Sequence, residues 1–103
     1  MDIRFRTFNV LNPETETKRG RVTAAIREDK DKAYISFSYC SPKDKYCKKY
    51  GQLIAFSRVN MKKERSEIGV ENLSITRIKG LLVEDAFIRG VPWMADIEEK
   101  HLR

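Results

Sequence analysis

Ile3, Phe5 and Thr7 alternate with Arg4, Arg6 and Phe8, the period-two pattern of a half-buried strand, and Asn12-Pro13 ends it. Residues 14–20 are polar, aperiodic and closed by Gly20, which predicts a mobile surface loop. Val22, Ala24 and Ile26 then share one face of residues 21–28. After the short turn Asp29-Lys30-Asp31, Ile35, Phe37 and Tyr39 share one face of residues 32–40. Two such runs around a tight polar turn predict an antiparallel hairpin.

The period changes after Cys40. Ser41, Pro42 and Asp44 read as N-cap, first helical position and an acidic variant of the capping box. Tyr46, Tyr50, Leu53 and Ile54 then fall at i, i+4, i+7 and i+8, a core-facing stripe, with Lys45, Lys48, Lys49 and Gln52 opposite. The helix is expected to reach Arg58. Gly51 inside it should cost about 1 kcal/mol relative to Ala; the reading favoured is a tolerated cost over a close approach by a neighbour. Residues 60–69 form a charged connector. Residues 70–78 fit a strand through Leu73 and Ile75, yet Ile75, Ile78, Leu81, Leu82 and Ala86 fit a helix. Gly80 favours a strand ending near Lys79, followed by a helix over 81–89 that Gly90 and Pro92 terminate. Trp93, Met94 and Ile97 suggest a last short amphipathic helix. The expectation is one compact α+β domain over residues 1–103, an antiparallel sheet of three to four strands packed against two to three helices, with an exposed tail at 98–103. An uncovered edge over residues 3–10 could pair with a second copy.

Charge changes the picture more than size does. Charged residues make up 35% of the chain and the net charge is +6, unevenly spread. Residues 1–65 hold 16 Lys/Arg against 8 Asp/Glu, the rest 5 against 7. A basic front suits an anionic partner. The start carries no apolar run that would predict a secretory leader, and no stretch approaches the roughly 20 apolar residues of a membrane span. The cytoplasm is therefore the expected compartment, with Cys40 and Cys47 reduced and acting as small apolar residues.

Familiar catalytic chemistry is missing from the pattern. The single histidine, His101, stands in the charged tail, and the two cysteines lack metal-ligand spacing. The five glycines are scattered, so no phosphate loop forms. Glu28, Asp29 and Asp31 fall on a turn, and Glu84-Asp85 has no third carboxylate beside it. No catalytic residue, metal or cofactor is expected.

The basic residues remain. Lys43, Lys45, Lys48, Lys49, Arg58, Lys62, Lys63 and Arg65 stand against two acids in residues 41–65, interleaved with Tyr46, Tyr50 and Phe56. Lysines supply sequence-independent phosphate contacts, and aromatic rings stack on unpaired bases. A bland alternative puts the tyrosines in the core and leaves the lysines to solvate an outer face. A second candidate surface combines Arg4, Arg6, Arg21 and Arg27 with Tyr34, Ser36 and Ser38 on one sheet face.

The run from Tyr34 through Cys40-Ser41-Pro42-Lys43-Asp44, with Tyr46, Gly51, Ile54-Ala55 and Arg58, resembles small orphan accessory proteins of bacteriophages and other mobile elements. The resemblance spans about a quarter of the chain. It implies a non-catalytic protein that binds nucleic acid, single-stranded or without sequence preference. The alternative it implies is a protein that binds and inhibits a host enzyme or defence nuclease, as anti-CRISPR proteins do.

Overall fold

A computed structural model describes residues 2–41, 43–46 and 48–103. Four strands, β1 (Ile3–Leu11), β2 (Lys18–Asp29), β3 (Lys32–Cys40) and β4 (Ser66–Gly69), form one antiparallel sheet in sequential order. Helix α1 (Lys48–Val59) lies between β3 and β4, and helix α2 (Ile75–Arg89) follows β4. The α+β class and the strand number agree with the sequence pattern.

The β2–β3 hairpin forms as expected, with Val22 opposite Tyr39 and Asp29 opposite Lys32. Its two-residue turn holds Lys30 at φ 60°. The β1–β2 connection is shorter than the sequence suggested, because Lys18, Arg19 and Gly20 already belong to β2. The remaining loop is closed by backbone bonds between Asn12 and both Glu16 and Thr17.

The two faces of the sheet differ in kind. One carries Phe8, Val10, Val22, Ile26, Ile35 and Phe37, and these bury against Ile78, Leu81, Leu82 and Ala86 of α2 and against Met94, Ile97 and Leu102. On β1 the core face is thus the one bearing Arg4 and Arg6, and the Ile3, Phe5 and Thr7 row looks the other way. That second face is covered over β2 and β3 by α1.

Three expectations need correction. Residues 75–79 are helical: Ser74 is the N-cap, its hydroxyl accepting from the Arg77 amide at 3.1 Å, and the helix runs through Gly80 to Gly90, a left-handed C-cap at φ 65°. The alternation of Leu73 and Ile75 with Ser74 and Thr76 spans a cap, not a strand. The charged connector contains a 3-10 turn over Lys62–Glu64 and the fourth strand. The tail is exposed at Glu98, Glu99, Lys100 and Arg103, as expected, but it is not free. Leu102 is fully buried, Arg103 exchanges backbone hydrogen bonds with Asn9, and His101 Nδ1 accepts from the Glu98 amide at 2.9 Å. The final segment folds as 3-10 turns at Pro92–Met94 and Glu99–His101.

A half-buried polar cluster ties α2 to the sheet. The Tyr39 hydroxyl donates to Asp85 Oδ2 at 2.6 Å, and Arg89 pairs with the same oxygen at 2.9 Å and with Glu64 at 2.6 Å. Burial pushes the Tyr39 phenol far above its ordinary range, and the hydrogen bond to Asp85 adds to this.

Candidate nucleic-acid interface

The site is built on a seam of small residues. Beneath α1 the sheet presents Thr23, Ala25, Ser36 and Ser38, all buried. The helix answers with Gly51, Ala55 and Val59 at i, i+4 and i+8. The Ser38 hydroxyl donates to the Gly51 carbonyl at 2.8 Å and Ser36 to the Ala55 carbonyl at 2.6 Å, so two strand side chains reach the helix backbone directly. A Cβ at Gly51 would stand 3.0 Å from Thr23 Oγ1. The glycine is there because the sheet is close, which reverses the favoured sequence reading.

A helix packed this closely has no room for large residues on its inner side. Tyr50, Leu53 and Phe56 therefore face outward, with 64%, 60% and 45% of their surfaces exposed. The core stripe read from the sequence is wrong for Tyr50 and Leu53; Ile54 alone of the four keeps a half-buried place on the helix. Tyr46 precedes α1 and is half-buried, with the Arg21 guanidinium 4.2 Å from its ring centre. A cleft of about 160 Å³ opens beside it, lined in part by Ser38, Tyr46, Tyr50, Gly51 and Ile54.

The expected helix start also moves. Ser41 Oγ accepts from the Lys43 amide at 3.0 Å and the Ser41 carbonyl from the Asp44 amide at 3.0 Å, a turn that precedes the helix. Pro42 and Cys47 lie outside the described residues. Lys43 and Lys45 are exposed on this loop, and Lys48 and Lys49 are exposed on the first turn of α1. Lys62 and Lys63 are exposed on the 3-10 turn past the far end of the helix. The two lysine groups stand at opposite ends of a helix about 18 Å long, with Tyr50, Leu53, Phe56 and the exposed Met61 between them.

Two expected site residues turn inward. Arg58 Nη1 donates to the Phe37 carbonyl at 2.7 Å. Arg65 donates to the Val59 carbonyl at 3.2 Å and lies 3.9 Å from the centre of the Tyr34 ring. Both fasten the end of α1 to the sheet. The arginine platform is divided as well: Arg4 and Arg6 share the α2 side of the sheet, Arg21 and Arg27 lie on the α1 side, and Ser36 and Ser38 are buried beneath α1. What the sequence reading missed is the outward apolar row. The spacing of Gly51, Ala55 and Val59 opposite the hydroxyls of β3 was the available signal.

No group of three or more metal-ligating side chains occurs among the described residues, and none of their helices is long and apolar enough to cross a membrane. Comparison of the chain with family models, curated proteins and solved structures gives no match.

Proposed function

We propose that this protein is a non-catalytic accessory protein, of the bacteriophage or mobile-element kind, that binds single-stranded nucleic acid on the outer face of α1. The observation that carries the reading is the exposed row of Tyr50, Leu53 and Phe56 set between lysines at both ends of the helix. Lysines engage phosphates whatever the sequence, and the rings of Tyr50 and Phe56 offer stacking surfaces to unpaired bases. Duplex DNA keeps its bases stacked and would use only the lysines, so the aromatic row favours single strands.

Titration of labelled single- and double-stranded oligonucleotides tests this. Four engaged lysines give a log–log salt slope of about −3 for a single strand, a loss of roughly 50-fold in affinity between about 50 and 200 mM salt. Single strands should bind with micromolar or tighter affinity and better than duplex. Joint replacement Lys45→Glu, Lys48→Glu and Lys49→Glu should abolish binding while the thermal unfolding transition is kept. Absence of binding at about 50 mM salt, or binding that survives the triple change, overturns the proposal. Tyr50→Ala with Phe56→Ala should weaken single-strand binding at least tenfold, since each stacked base is worth about 1–3 kcal/mol.

A further inference from the structure

β1 is an edge strand whose outer side is closed over part of its length by the chain's own last residues. The Asn9 amide donates to the Arg103 carbonyl at 3.0 Å, the Arg103 amide donates back at 2.9 Å, and Val10 bridges Leu102. In an antiparallel ladder the N–H and C=O of every second residue point to the same side. Asn9 points outward, so the backbone groups of Thr7, Phe5 and Ile3 point outward too. No backbone hydrogen bond from another described residue meets them there.

Side chains flank this open edge with different chemistry on each side of the sheet. On the α2 side, Arg4 and Arg6 rim an open groove of about 490 Å³ between β1 and the start of α2, whose apolar lining includes Ile26, Leu73 and Ile78. Arg4 meets Glu28 at 3.3 Å in an exposed pair. Arg6 lies 5.3 Å from the Phe8 ring centre and is exposed. On the α1 side stand Ile3 and Phe5, the latter 37% exposed.

We infer that this edge accepts a fifth strand from an acidic partner protein: an extended segment in which acidic residues alternate with apolar ones. Its backbone completes the ladder along residues 3–7, its carboxylates lie beside Arg4 and Arg6, and its apolar side chains cover Ile3 and Phe5. A second copy of this chain is a poor occupant. Antiparallel self-pairing centred on Phe5 sets Arg4 opposite Arg6 of the copy twice, gathering four guanidinium groups on one face. A nucleic acid strand lacks the peptide groups that would complete the ladder.

The probe is a capped peptide of alternating glutamate and valine, compared with its lysine–valine counterpart and with a version N-methylated at alternate amides. Fluorescence anisotropy reads affinity, and amide exchange at Phe5 and Thr7 reads the place. The glutamate peptide should bind at least ten times more tightly than the lysine peptide and slow both amides. N-methylation should abolish binding, and Arg4→Glu with Arg6→Glu should reverse the charge preference. The variant carrying Lys45→Glu, Lys48→Glu and Lys49→Glu should bind it as the unaltered chain does, which separates this edge from the α1 face. Equal affinity for both peptides, unchanged exchange at Phe5 and Thr7, or sedimentation of the chain as a dimer through this edge would overturn the inference.

Discussion

Asp85 accepts from both Tyr39 and Arg89, and Arg89 also reaches Glu64, so the Asp85–Arg89 pair links β3, α2 and the connector before β4. Burial works against the charge of Arg89, but its hydrogen bonds to Glu64 and Asp85 outweigh this and hold its pKa above the ordinary value. The consequence for pH lies with Tyr39. A phenol whose pKa is raised on folding contributes stability that is complete below its unfolded value of 10.0 and is lost as pH rises beyond it. Unfolding followed between pH 8 and 12 should therefore show a steep alkaline loss. Tyr39→Phe should flatten that loss and cost about 1–2 kcal/mol at neutral pH, where the hydrogen bond to a carboxylate goes but Asp85 keeps Arg89. An unchanged alkaline slope in the variant would count against this account.

Among the elements, α1 shows most clearly how distance decides composition. Leu favours helix nearly as much as Ala does, so Gly51→Leu should help α1 in isolation. Against Thr23 Oγ1 it has no room, and we expect it to destabilise the protein by about 1–3 kcal/mol in denaturant unfolding. The same distance explains what could be read in advance. The β2–β3 hairpin was legible because its alternation is local, and the bounds of β3 match residue for residue. The orientation of α1 was not, since a stripe of Tyr50, Leu53 and Ile54 looks like a core face until the gap to the sheet is known. β4 has only four residues, two of them Ser66 and Glu67, and carries no alternation long enough to notice. The cap at Ser74 was visible in type but hidden inside an accidental alternation. At the candidate site, the exposed lysines were legible from composition; the inward turn of Arg58 and Arg65, which depends on carbonyls presented by Phe37 and Val59, was not.

On the scale of the whole molecule, Leu102 and Arg103 close part of the outer side of β1. Leu102 is fully buried in the same core as Phe8 and Val10, and the Asn9–Arg103 bonds hold it there. Leu102→Ala should cost about 2–5 kcal/mol, comparable to an interior residue of any central element, and thermal or denaturant unfolding will show it. A cost under about 1 kcal/mol would mean that the terminus frays. The core beneath α2 and the seam beneath α1 divide the work of the sheet: one face supplies bulky apolar packing, the other a close polar and small-residue fit. The seam leaves the outward-facing apolar side chains of α1 with little part in folding. Tyr50, Leu53 and Phe56 can be exchanged for other residues at small cost to the fold, because nothing beneath the helix relies on them. A lineage could thus alter what this surface recognises, one substitution at a time, without a compensating change elsewhere, and a laboratory library confined to those positions would sample new binders while inheriting an intact scaffold.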